Sequence, residues 1–218
     1  MLPRALADEE LPGITAEFQR AARNAMAAGF DGVEIHGANG YLLDQFLRDG
    51  SNHRQGAYGG SREHRARLLF EVIEAVGREA PVVGLRLSPI NSFNAMVDSD
   101  AIGLARWLAA ELNGRGLAYL HVMRADFLGQ QQGDVLSPMR QAFEGVLVSN
   151  TGYSGPEANQ AIGAGTVDAV AFGTAFLANP DLPERLRRGA DLNIPDPSSF
   201  YSPGPVGYTD YPSLEAAQ

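Results

Sequence analysis

The sequence predicts an α/β fold built on a parallel sheet, and three observations carry that expectation. Short, almost wholly apolar runs alternate with segments whose apolar residues recur at three- and four-residue spacing. The apolar runs are too continuous for a half-exposed antiparallel sheet, so the strands are expected to be covered on both faces. The 25 glycines and 13 prolines suit the many tight strand–helix connections of such a fold. A length of 218 residues fits one domain with a substantial core.

The first helix is predicted over residues 9–28, where Leu11, Ile14, Phe18, Ala21, Ala25 and Met26 form one apolar stripe that Gly29 ends. A strand over 32–36 follows, then a long connection containing Gly37, Gly40, Gly59 and Gly60. Ser61 is placed to cap a helix over 62–76, with Ala66, Leu69, Phe70, Ile73 and Val76 as its inner stripe. The alternation continues with a strand over 82–87, a helix over 102–112, a strand over 118–122 and a weaker helical stretch over 138–143. A strand over 145–149, a helix over 156–164 and a last strand over 167–172 complete it. Short helices are expected around 174–177 and 182–188, and 190–218 reads as a C-terminal loop segment of the same domain. Five strands fit either an open doubly wound sheet or part of a closed barrel. The stretch from Gly37 to Gly40 lacks the dinucleotide-binding glycine spacing, which counts against a Rossmann domain.

Composition narrows the function classes. There are no cysteines, which excludes disulfides, thiolate nucleophiles and cysteine-ligated zinc. The net charge is −9 and the 17 basic residues form no patch, so nucleic acid is not an expected partner. No apolar run approaches the roughly 20 residues that span a bilayer, and Met1 to Arg4 begin no signal region. No membrane association and a cytoplasmic location are therefore expected. His53, His64 and His121 show no metal-ligand spacing; His121 reads as a core or pocket histidine. Arg62, Arg65 and Arg67 open a helix and read as a solvated face.

In parallel α/β folds functional groups gather at the C-terminal ends of strands. The first strand ends in His36, with Asn39 and Tyr41 just beyond. His36 and Asn39 can both point N–H donors at one carbonyl oxygen, as an oxyanion hole does, and Tyr41 can hand over a proton. They can equally be a core histidine, a turn asparagine and a packing tyrosine. Arg86 lies between Leu85 and Leu87, and a buried guanidinium needs a partner. Either a bound electron-rich ring or anion, or a carboxylate such as Glu34, would serve. The last two strands end in Asn150-Thr151-Gly152 and Gly173-Thr174, which suit a phosphate site of backbone N–H groups or ordinary turns. A barrel lyase or isomerase would need a lysine or paired carboxylates at the strand ends, and none is there.

Taken together, these residues carry a family resemblance. The run Ala21-Ala22-Arg23-Asn24 and the stretch Gly29-Phe30-Asp31-Gly32-Val33-Glu34-Ile35-His36-Gly37-Ala38-Asn39-Gly40-Tyr41-Leu42-Leu43-Asp44-Gln45-Phe46-Leu47 resemble the signature of the Old Yellow Enzyme family. The likeness continues through Tyr58-Gly59-Gly60-Ser61, Val83-Gly84-Leu85-Arg86-Leu87-Ser88-Pro89 and Tyr119-Leu120-His121-Val122. It ends with Asn179-Pro180-Asp181-Leu182, Phe200-Tyr201 and Gly207-Tyr208-Thr209-Asp210-Tyr211-Pro212. The resemblance implies a (β/α)8 TIM barrel, of which this chain carries about strands 4–8. It also implies an FMN-dependent, NADPH- or NADH-driven reduction of electron-poor alkenes.

Residue by residue, His36 and Asn39 resemble the pair that binds the substrate's activating group, and Tyr41 the proton donor. Arg86 resembles the arginine at the flavin's pyrimidine end. Asn150, Gly152, Gly173 and Thr174 fall at cofactor positions, and Tyr201 resembles an aromatic at the pocket entrance, touching substrate. Two departures stand out. The family's Phe-Gly-Arg is here Phe172-Gly173-Thr174, and its Asn-Gly-Gly is Asn150-Thr151-Gly152. Loss of the charged contact costs about 1.5–3 kcal/mol, or roughly ten- to a hundredfold in cofactor affinity. Five strands cannot close an eight-stranded barrel, so a complementary chain or self-association is the expected partner.

Overall fold

The structure, a computed structural model, describes residues 4–214. Five strands form one wholly parallel sheet in chain order: β1 (Val33–Gly37), β2 (Val83–Leu87), β3 (Tyr119–Met123), β4 (Val146–Asn150) and β5 (Ala169–Val170). Each strand pairs with the next and the order never reverses. A doubly wound sheet needs such a reversal, so sequential order decides the question in favour of an arc of a barrel. The helices are α1 (Leu11–Ala27), α2 (Leu42–Leu47), α3 (Arg62–Gly77), α4 (Ala101–Glu111), α5 (Leu136–Ala142), α6 (Gly155–Gly163), α7 (Thr174–Ala178) and α8 (Leu182–Arg188).

The sheet divides its side chains by row. Ile35, Leu85, Leu120 and Leu147 are register partners on successive strands, and all four are buried. They form the core with Leu69, Val72, Leu104, Leu108 and Met139 from the helices. The next row, His36, Arg86, His121 and Val148, faces the other way by strand alternation. Helices therefore cover one face, not both as the apolar runs suggested. The opposite face is the concave side of the arc, where Glu34, His36, Arg86, Tyr119 and His121 stand. On that side Gly84 has a packing reason: a Cβ there would lie 2.2 Å from the Tyr119 ring.

Local signals explain most boundaries. Ser61 Oγ accepts from the His64 N–H at the start of α3, and Asp100 accepts from Gly103 at the start of α4. Gly29, at φ 91°, follows the end of α1. Three differences have physical causes. The connection after β1 contains α2, a single buried turn and a half whose Leu43, Phe46 and Leu47 enter the core. The last strand spans two residues rather than 167–172, because only Val148 and Ser149 of β4 pair with it. Arg65 is not solvated: it is 7% exposed, donating to the carbonyls of Leu47 and Gly60.

The segment beyond α8 is ordered by polar ties rather than by an apolar stripe. Arg185 donates to the carbonyls of Asp191 and Pro212, and the Leu214 N–H donates to Asp181. No helix among the described residues is long and apolar enough to cross a membrane.

Candidate active site and anion-binding turn

The first cluster is built on the turn leaving β1. His36 and Tyr41 approach with ring centroids 5.6 Å apart. Between them Asn39 takes a left-handed backbone, φ 59°, a conformation that asparagine tolerates better than most residues. Its N–H donates to Ser88 Oγ at 2.7 Å, and its backbone carbonyl accepts from Asn94. Its side-chain Oδ1 accepts from Asn91 Nδ2 at 2.9 Å, which leaves the Asn39 Nδ2 group to donate elsewhere. Gly40, at φ 69°, donates its N–H to Asp44, whose carboxylate is paired with Arg48; both side chains are buried. Arg48 also donates to the Ser88 carbonyl, so the turns after β1 and β2 share one buried network.

Arg86 stands beside His36 in the same row. Burial lowers the His36 pKa below its ordinary value and the Arg86 charge adds to the effect, so the ring is neutral near pH 7. Glu34 is taken by another partner, His121 Nδ1 at 3.0 Å, and His121 is itself largely buried. Burial pushes the Glu34 carboxyl up, but the His121 and Tyr119 hydrogen bonds and the Arg86 charge together hold it below its ordinary value. The Arg86 Nε is buried with no hydrogen-bond partner among the described residues. Glu34 thus compensates part of the Arg86 charge without satisfying its donor.

The second cluster lines a cavity of about 680 Å³ between the turns after β4 and β5. Asn150, Thr151, Gly152, Gly173 and Thr174 all border it, with Met123 and Phe127 on one wall. Asn150 Oδ1 is buried and unpartnered, an acceptor that a ligand hydroxyl would satisfy. The backbone N–H groups of Thr151, Gly152 and Tyr153 have no partner among the described residues. Tyr201 joins neither cluster through a hydrogen bond and is 98% exposed. Sequence reasoning missed Asp44, Arg48, Ser88 and Asn91, which hold the first turn, and Arg124, which holds the second. A polar residue directly after β2 or β3 was the available signal.

A five-unit barrel arc with a polar cluster after one strand and a turn of unpartnered N–H groups after another has its polar groups at the strand ends, where α/β barrels gather their sites. The chain belongs to the NADH:flavin oxidoreductase / NADH oxidase family, which it matches over residues 1–193. It is 51% identical over 217 residues to a probable flavin mononucleotide-dependent alkene reductase of Leishmania infantum. It is 46% identical to 12-oxophytodienoate reductase 2 of Arabidopsis thaliana. In both cases the match covers 98% of this chain and 59% of the relative, so the chain spans about three-fifths of its curated relatives' length. The old yellow enzyme of Trypanosoma cruzi superposes with a TM-score of 0.96 at 45% identity, over 98% of this chain and 58% of that one. Morphinone reductase in complex with tetrahydroNAD superposes with a TM-score of 0.92 at 46% identity, over 99% of this chain and 59% of that one. The arc is therefore part of a (β/α)8 barrel.

Proposed function

We propose that this chain carries the substrate-activating and phosphate-holding part of an FMN-dependent alkene reductase. The residues present fit that cofactor. The unpartnered Arg86 Nε suits the electron-rich pyrimidine edge of a flavin, and the free N–H groups after β4 suit its phosphate. When bound, FMN reduced by NADPH or NADH would supply the hydride for an electron-poor alkene such as an enone, enal, nitroalkene or maleimide. The chain's own residues do the rest. His36 and Asn39 donate hydrogen bonds to the oxygen of the activating group and so draw electron density from the alkene. Tyr41 gives its phenolic proton to the α-carbon. Arg86 stabilises negative charge at the pyrimidine edge. Asn150, Gly152, Gly173 and Thr174 hold the phosphate end, and Tyr201 borders the substrate entrance.

The observation that carries this reading is the Asn91–Asn39 hydrogen bond. By engaging the Asn39 carbonyl oxygen it leaves the Nδ2 group free to donate, the role that an electron-poor substrate requires. The test is the visible spectrum of the chain after incubation with FMN and desalting. A retained flavin spectrum that NADPH bleaches without oxygen, and that an enone restores, is the expected result. Tyr41→Phe is expected to slow the enone step by about a hundredfold or more, with flavin reduction by NADPH unchanged. A second reading is a barrel piece inert by itself, needing a complementary chain or a second copy. The outer edges of β1 and β5, unpaired among the described residues, favour it. No retained flavin would support that reading.

A further inference from the structure

Three consecutive carbonyls at the C-terminal end of β4 accept from one residue. The backbone N–H of Arg124 donates to Asn150 at 3.3 Å, its Nε to Thr151 at 2.8 Å and its Nη2 to Gly152 at 3.0 Å. The side chain is itself fixed on two sides. Nη1 meets Glu157 Oε1 at 2.6 Å, and the guanidinium lies 3.6 Å from the Tyr153 ring centroid. No cis peptide bond occurs among the described residues. In a trans peptide the N–H opposes the carbonyl of the preceding residue. Drawing the carbonyls of 150, 151 and 152 toward Arg124 therefore turns the N–H groups of Thr151, Gly152 and Tyr153 away from it. Those three residues border the cavity of about 680 Å³, and their N–H groups are unpartnered.

The turn does not adopt this shape by local preference. Thr151 sits at φ 84°, where a β-branched residue is a genuine outlier. Such a conformation persists only where its surroundings over-determine it. Arg124 is the group that does so, since it alone among the described residues donates to the Thr151 carbonyl.

We propose that Arg124 is the positioning residue of an anion-binding turn. It clasps three carbonyls so that three successive N–H groups present themselves to a phosphate. The guanidinium itself stays behind the turn, neutralised by Glu157. The inference rests on the reading of this cavity as the phosphate end of a flavin site. It offers a structural answer to the absence of a charged side chain at Thr174.

The test compares FMN with riboflavin, which lacks the phosphate, by quenching of flavin fluorescence on the full chain. Arg124→Met keeps an apolar stem over Tyr153 and removes every side-chain donor. It is expected to weaken FMN at least about tenfold, the scale of one charged hydrogen bond, while leaving riboflavin unchanged. Adding Thr151→Gly to that variant is expected to recover most of the loss, because glycine holds a positive φ without strain. An unchanged FMN affinity in Arg124→Met, or an equal loss for both flavins, overturns the proposal. If the wild-type chain binds neither flavin, the chain does not hold flavin by itself, and inorganic phosphate followed by amide NMR decides the role of Arg124. Phosphate is then expected to shift the Thr151, Gly152 and Tyr153 amide signals in wild type and in the double variant, but not in Arg124→Met. Signals that do not respond in wild type, or that respond equally in Arg124→Met, overturn it.

Discussion

Asn39 after β1 and Thr151 after β4 both stand in the left-handed region, at φ 59° and 84°, yet they are held there by different means. Asn39 is a residue suited to that region, and its neighbours form a buried network. Ser88, Asn91 and Asn94 bond it directly, and the Asp44–Arg48 pair ties the next residue. Thr151 is unsuited to it, and one partly exposed guanidinium carries the burden. The turn after β1 is thus rigid by redundancy, whereas the turn after β4 depends on a single side chain. In water-poor surroundings a buried ion pair is costly to break, while an exposed one is screened. The two turns should therefore respond very differently to removal of a carboxylate.

The largest expected effect follows directly. Asp44→Asn leaves Arg48, 1% exposed, without its anion, and should cost about 3–5 kcal/mol of unfolding free energy, read from urea denaturation. Glu157→Gln removes the corresponding carboxylate from Arg124 and should cost less than about 1 kcal/mol by the same measurement. Equal losses would break the comparison, because they would mean that burial does not separate the two turns.

An intermediate effect sharpens it. Asp126 accepts from the Ser92 hydroxyl and N–H and from the N–H groups of Leu128, Gln130 and Gln131, joining the loop after β3 to the one after β2. Burial alone would raise its pKa, but these bonds hold it at about 2, below the ordinary 3.8. A carboxyl depressed in this way contributes stability above its unfolded pKa and loses it as pH falls from there through the folded value. Asp126→Asn should cost about 1.5–3 kcal/mol at pH 7, and should flatten the decline in stability between about pH 4 and pH 2. A variant that keeps the wild-type acid slope would show that Asp126 is not its source.

Much of this was legible in the sequence, and the remainder was hidden for identifiable reasons. Periodicity located five strands and most helices, because apolar spacing reports directly on which side meets the core. It did not reveal α2, whose six residues are too few for a period to appear. Nor did it separate the sheet's two faces. Arg86 and Glu34 were visible interruptions, but the apolar residues around them looked alike whether they met helices or the barrel's inner side. Arg65 looked solvated because its partners, the Leu47 and Gly60 carbonyls, are supplied by a loop whose course the sequence does not show. His36, Asn39 and Tyr41 were readable because they leave one strand end within six residues. Arg124 was not, since its importance depends on the sign of φ at Thr151, which lies 27 residues away in the chain.

The smallest expected effect has the opposite sign. The Arg86 Nε is buried without a partner among the described residues, and Glu34, whose carboxyl feels the Arg86 charge, is bonded to His121 instead. An unsatisfied buried donor costs stability, and an apolar replacement of similar shape removes that cost. Arg86→Met in the flavin-free chain should therefore be neutral or stabilising by up to about 1 kcal/mol. The gain should be limited because Glu34 loses a neighbouring positive charge that helps to keep its carboxyl ionised. Addition of FMN should reverse the order, stabilising wild type more than the variant, if the flavin's pyrimidine edge is what the guanidinium awaits. A destabilised flavin-free variant would instead place Arg86 among the scaffold residues, alongside Arg48 and Arg65.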